Sequence, residues 1–278
     1  MSVVEIALPT GRRPRPRTFG PLATLAHRRF QLTARTPREF VVPLLTPIMF
    51  ALVIAPALKT ALHTDTSYES FVAIGTVGLL IPLNTMFSGL GVIVDRISGA
   101  QRELLSAPIR RGLIVVGNLL VALAITALQV GVLLAVAVAR GIHFHATAAG
   151  IAWFVGAAAL FTVGMYGMAE ILANRVPRQE EYIARVPAIA ILPWFLAGAL
   201  FPITALPHFL MWFAKLLPLT HGLALMRYGL LGDSTGLHAI WHLGNATEMA
   251  VLSLGVVAVF AALLTTASIR VFSHSAVR

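Results

Sequence analysis

The sequence predicts an all-α polytopic membrane protein, on three observations. First, 58% of the 278 residues are hydrophobic and only 12% charged, with mean hydropathy +0.84. A soluble domain carries about 25% charged residues, so lipid is the indicated solvent. Second, six apolar segments reach or pass the roughly 20 residues a helix needs to cross a hydrocarbon core. They do not alternate with period two, which excludes a β-barrel, and backbone groups in lipid must pair within a helix or a closed barrel. Third, the basic residues flank the apolar segments instead of forming one face. The formal charge of +10 is therefore read as a membrane-orientation signal and not as a nucleic-acid footprint.

Residues 1–20 contain GRRPRPR and read as a disordered basic tail, too rich in Pro and Arg to pack. No apolar h-region or small-residue cleavage site follows closely, so the segment is not read as a signal peptide. The transmembrane domain is assigned to 21–278. Its first part, 21–39, mixes Leu22, Leu25, Phe30 and Leu32 with Arg28, Arg29, Arg35 and Arg38, the composition of a helix lying in the interface. Pro37 marks the bend into the first span. Spans are expected at about 41–62, 71–94, 112–139, 148–173, 186–206 and 246–269. Pro43, Pro47, Pro56, Pro82 and Pro193 fall inside them and are tolerated better in membranes than in water. The connections 62–70 and 140–147 are short. The connection 207–245 is long, semi-apolar and too broken for a clean span.

With the N-terminus placed inside, seventeen Lys and Arg residues fall inside and four (Lys59, Arg140, Lys215 and Arg227) fall outside or at outer span ends. The bias predicts that both termini are cytoplasmic in a plasma membrane, in agreement with an even number of spans. Nineteen Arg against two Lys, with abundant Ala, suggests a GC-rich bacterial genome.

Two segments carry motifs. Residues 95–111, DRISGAQRELLSAPIRR, have a helical core at Ala100–Ser106 that stops at Pro108. Alone, they suit either an ordinary charged loop or a short amphipathic helix at the membrane face with Leu104 and Leu105 available for burial. Residues 201–233, FPITALPHFLMWFAKLLPLTHGLALMRYGLLGD, are apolar yet broken by Pro202, Pro207 and Pro218. The first segment resembles the first cytoplasmic loop of ABC-2-type transporter permeases through Gly99, Arg102, Glu103, Leu104, Leu105, Pro108 and Arg110. The second resembles that family through Phe201-Pro202, Leu206-Pro207, Pro218-Leu219-Thr220 and Arg227. The chain is most similar to the small daunorubicin-type drug-resistance permeases, over residues 20–270.

The resemblance implies several roles. The loop after span two, including Arg96, would be the coupling helix seated in a cleft of the ATPase. The stretch after span five would form re-entrant helices on the outer side, and the N-terminal helix would lie on the inner leaflet near the ATPase. The partners implied are two copies of an ABC ATP-binding subunit, a second permease subunit (identical or homologous) and membrane lipids, with no nucleic acid. ATP and Mg would enter only through the partner ATPase, because the chain has no GxxxxGK[ST] phosphate loop and no catalytic or metal site of its own. The expected activity is export of a lipophilic drug or lipid from the cytoplasm or inner leaflet, with antibiotic resistance or lipid transport as its context. The alternative is an ion-coupled secondary transporter, which calls for charged midplane residues that the spans largely lack. An intramembrane enzyme would need a convergent His/Asp/Glu or Ser/His set, and none is evident.

Other residues are read more plainly. The chain has no cysteine, hence no disulfide or thiolate chemistry. His143 and His145, and His238 and His242 at i, i+4, are read as metal-free interfacial histidines. Glu170 stands close enough to the interface to snorkel and to pair with Arg175. Glu248 could pair with Arg227 or with a cationic substrate. Asn84 and Gln129 are expected to face protein. Met49, Phe50, Met86 and Phe87, with Asn84, are candidates for a substrate path, although Met and Phe in spans more often pack or face lipid.

Overall fold

The computed structural model describes residues 19–275 except 36, 55, 58, 59 and 61–65. The expected basic tail, the end of the first expected span and much of the connection 62–70 therefore lie outside the described residues. Among those described, the chain is helical with no strand.

Helix α1, Phe19–Ala34, opens the fold. It lies along the later helix Arg111–Ala139 and buries Leu25 with Ile114, Val115 and Leu119. Helix α2, Pro37–Met49, runs into a π-helical turn at Phe50–Ile54, where Phe50 sets its ring edge-on to Trp194 at 5.1 Å. Helices α3, Thr66–Ser88, and α4, Leu90–Ile97, make one 30-residue apolar path from Tyr68 to Ile97. This path is the core of the bundle, with Val72, Ile74, Val77, Leu80, Ile81 and Met86 wholly or almost wholly buried. The expected single span at 71–94 is thus two helices joined at Gly89. The Met86 carbonyl accepts both the Gly89 N–H (3.1 Å) and the Tyr182 hydroxyl (2.6 Å). A Cβ at Gly89 would lie 2.9 Å from Tyr182 Cζ, so glycine there admits the tyrosine.

Helix α5 is Ala100–Ser106, and α6, Arg111–Ala139, and α7, Ala148–Arg175, are long and apolar. Thr147 caps α7 by accepting from the Gly150 N–H at 3.0 Å. Helix α8, Gln179–Leu196, starts before the expected fifth span and stops ten residues short of its expected end. Gly198 at φ 78 turns the chain there, as L-residues with a Cβ rarely do. After a 3₁₀ turn at Ile203–Ala205 come α9, His208–Leu216, and α10, Pro218–Leu231, bent by 81° to one another. Pro218 at the first helical position suits this break, because its missing N–H has no intrahelical partner to lose. Helix α11, Thr235–Trp241, leads into α12, Ala246–Ser275.

Helix α7 forms the broadest helix–helix contact of the bundle with α12, and it also packs on α10. At the latter contact Gly150 and Gly229 face each other, and a Cβ on Gly229 would lie 2.9 Å from Phe154 N and closer still to the Gly150 carbonyl. Small residues that let backbones touch are how helices associate in lipid, where no hydrophobic gain separates a helix from its solvent.

The expected six spans resolve unevenly. Four segments (Tyr68–Ile97, Arg111–Ala139, Ala148–Arg175 and Ala246–His274) are long and apolar enough to cross a bilayer, and the bent α9–α10 pair would make a fifth. Helix α8 has 18 residues but carries Glu180, Glu181 and Arg185, and the first apolar helix is short.

Candidate functional site

The loop after α4 is built from backbone geometry first. Gly99 takes φ 81 and opens α5, whose observed limits coincide with the helical core expected from the sequence. Arg102 and Glu103 are exposed on it, while Leu104 and Leu105 are half-buried against the cluster formed by Leu25, Ile114, Val115 and Phe272. Part of the apolar area expected to meet a partner therefore already covers the chain's own core. Ala107 is extended, and Pro108 and Arg110 are exposed before α6 begins. The residue before a proline avoids the helical region, so the helix stops where it must.

Two consecutive side chains tie this loop down. Asp95 receives Arg28 at 2.9 Å and lies 3.8 Å from Arg29, and Arg29 also donates to the Ser88 carbonyl at 2.8 Å. A Cβ at Gly91 would overlap the Arg29 guanidinium, so glycine there makes room for it. Arg96 donates to the carbonyls of Ala173 (2.8 Å), Val176 (2.6 Å) and Pro177 (3.2 Å). A cation is favoured at the C-terminal end of α7, where carbonyls are left over. The loop is thus fastened to α1 through Asp95 and to α7 through Arg96. Asp95 was not singled out in the sequence, and Arg28 was read only as one of the basic residues of the interfacial helix; an acidic residue at the head of a basic loop was the available signal.

At the opposite end of the bundle the proline-broken motif divides. Arg227, 5% exposed, donates through Nη2 to the carbonyls of Ala199 (3.0 Å) and Phe71 (3.4 Å) and stands 3.4 Å from the centre of the Phe71 ring. It does not meet Glu248, which pairs locally with Asn245 at 3.3 Å. The 197–203 turn is pinned further by Tyr68, which donates to the Leu200 carbonyl at 3.1 Å. Close by, Trp194 donates to Gly75 O at 2.7 Å. A Cβ on Gly75 would strike the Ala199 carbonyl.

Two cavities adjoin this region. One, of about 310 Å³, has Pro202, Thr220 and Arg227 of the motif in its wall together with Phe71, Thr204 and Asp233. The other, of about 210 Å³, is lined wholly by apolar residues, among them Pro82, Phe161, Met165, Pro193, Leu219 and Phe260. Pro218 and Leu219 of the motif wall this second cavity; Phe201 and Pro207 are exposed and Leu206 packs on the core.

The residues considered for a substrate path are not gathered into one space. Met86 is fully buried in the core, Phe87 and Phe50 are half-buried and Met49 is 52% exposed. Asn84 donates to Thr126 and faces only a small polar gap beside Arg29 and Asn118. Phe161, Met165 and Phe260 of the apolar cavity went unnoticed in the sequence.

Glu170 corrects another expectation. It does not snorkel or pair with Arg175. It is fully buried, accepts from the Tyr166 hydroxyl at 2.9 Å, and has Asn174 Nδ2 donating to its carboxylate at 3.3 Å. A buried carboxylate needs such donors more than an interfacial one does. His242 closes α11 at φ 56, with its Nε2 3.0 Å from Lys215 Nζ. Among the described residues no three His, Asp or Glu side chains gather to hold a metal.

No match is found among curated proteins. The family model for the ABC-2 type transporter membrane domain matches residues 21–231, from α1 to the end of α10. This stretch contains the clamped loop and the proline-broken motif, and it exceeds half of the chain, so the chain belongs to the ABC-2 type transporter family, as a multi-pass membrane domain of the kind that partners with ABC ATP-binding subunits.

Proposed function

We propose that this chain is the permease subunit of an ATP-driven exporter that moves a lipophilic drug or lipid outward. Two ATP-binding subunits bind at α5 and its flanks, and two permease subunits complete the transporter. Both termini and α5 face the cytoplasm, and the α9–α10 pair is re-entrant on the outer side. The observation that carries this reading is the loop 95–111. It presents Arg102 and Glu103 outward while Asp95 and Arg96 clamp its root to α1 and α7. A push on α5 would reach two other helices through bonds that bear load. The apolar cavity supports a lipophilic cargo, because it has no polar wall to reject hydrocarbon.

The test is purification of the chain from native membranes, with identification of what copurifies, followed by reconstitution. An ATP-binding subunit in the complex and transport that requires ATP are the expected results. The buried Glu170 is the feature that favours ion coupling instead. Transport by the chain alone, driven by an ion gradient without nucleotide, would establish that alternative.

A further inference from the structure

The cavity beside Arg227 has properties that a packing defect does not share. Arg227 is a cation almost wholly withdrawn from solvent, and among the described residues it has no carboxylate within ion-pair distance. Among the described residues its two hydrogen bonds both leave from Nη2 toward backbone carbonyls, and its Nε has no partner. About two turns earlier on the same helix, Thr220 is 3% exposed and its hydroxyl also lacks a partner among the described residues. Both residues wall the same space of about 310 Å³. Buried polar groups are nearly always satisfied, so two on one wall call for a ligand. The rest of the wall is largely apolar, from Phe71, Pro202, Ile203 and Ala224.

Asp233 also borders the space, and its carboxylate limits how much negative charge a ligand there can carry. Its Oδ1 accepts from Thr235 N at 2.9 Å and from Thr235 Oγ1 at 2.6 Å, which ties it to the start of α11. A second negative charge beside it disfavours a dianion, while Arg227 favours a single anionic oxygen head. A guanidinium fork suits such oxygens better than an ammonium does.

We infer that the cavity between α3, the 197–204 turn, α10 and α11 binds a monoanionic amphiphile. Its carboxylate or phosphodiester sits at Arg227 and Thr220, and its chain lies along Phe71, Pro202 and Ile203. The inference does not depend on the coupling reading, because binding needs neither nucleotide nor a partner subunit.

The test is equilibrium binding to the purified full chain in a neutral maltoside detergent. Radiolabelled laurate and lysophosphatidylglycerol are the probes; decyltrimethylammonium and inorganic phosphate are the controls. Saturable binding of one or both anionic amphiphiles at one per chain is expected, with no binding of the cation or of the tail-less anion. Laurate alone would identify a fatty-acid-like ligand, and lysophosphatidylglycerol alone a membrane phospholipid; either supports the site. Arg227→Gln should weaken binding at least about tenfold, the scale of a lost charge-assisted hydrogen bond. Arg227 also holds two carbonyls, so Thr204→Trp serves as a second variant. Thr204 is exposed at the rim, and the indole would fill the space while leaving Arg227 in place. It should abolish binding with an unchanged melting temperature. Equal binding of the cationic amphiphile, or undiminished binding in Thr204→Trp, would overturn the assignment.

Discussion

Glu103→Ala and the double change Leu104→Ala with Leu105→Ala should both stop transport, by different routes. Glu103 is exposed on the first turn of α5, where truncation of a surface side chain shifts stability by no more than about 0.5 kcal/mol. In contact with an ATP-binding subunit, its carboxylate can form a charge-assisted hydrogen bond, worth about 1.5–3 kcal/mol net. Its loss corresponds to roughly 10- to 150-fold weaker association. Leu104 and Leu105 are half-buried on the cluster around Leu25 and Ile114. Full burial of a leucine is worth about 1.5–3 kcal/mol, so half of it for two residues places about 2 kcal/mol in the fold of this chain itself. The glutamate variant should reach the membrane at normal level and lose ATPase pull-down and transport. The leucine variant should lose membrane level and melting temperature as well. Transport, pull-down and membrane level are measured in the same cells. Full transport by Glu103→Ala would refute the coupling assignment, and a leucine pair that costs association while stability is untouched would show that Leu104 and Leu105 bury against the partner and not against this chain's own core.

Other outcomes follow from the same geometry. Asp95→Ala leaves the buried Arg29 with only the Ser88 carbonyl, and should cost about 2–4 kcal/mol, discounted because Arg28 is 34% exposed. Trypsin should then cut α1 at Arg28 faster than in the parent; unchanged cleavage would mean that Asp95 does not hold α1. Gly229→Val drives a side chain into the backbone of α7 and should yield no folded protein, whereas Gly222→Ala on the same helix meets nothing within 4 Å and should melt at or above the parent temperature. Equal yields of the two would show that α7 and α10 do not pack through Gly150. For topology, single cysteines at Ser67 and Asp233 should react with an impermeant thiol reagent from outside. Those at Ser98 and Ser273 should react only after lysis, and labelling of Ser98 in intact cells would reverse the orientation.

What the sequence made legible was set by short-range physics. Helix α5 was readable to the residue because Gly99 and Pro108 bracket it, one by its left-handed φ and the other by its effect on the residue before it. The long apolar helices α6, α7 and α12 were readable because hydropathy alone defines them. The misreadings arise where a distant partner decides. The break at Gly89 depends on the Tyr182 hydroxyl, which reaches the Met86 carbonyl 96 residues before it. The early stop of α8 depends on a turn whose carbonyls are claimed by Tyr68 and Arg227. Glu170 was placed by distance from a helix end, yet Tyr166 and Asn174, each four residues off on its own helix, could have been read as its donors. The cavities had a local trace as well. Pro82, Pro193 and Pro218 come from three different helices and share one apolar wall. Pro82 and Pro193 lie inside their helices, where the ring removes a hydrogen bond and pushes the preceding turn aside, and Pro218 starts α10 at its sharp bend from α9, so neighbouring helices do not close fully on the three. Prolines in apolar segments were noted as tolerated in the sequence. Their convergence in space was not legible, because it depends on how three helices distant in sequence pack.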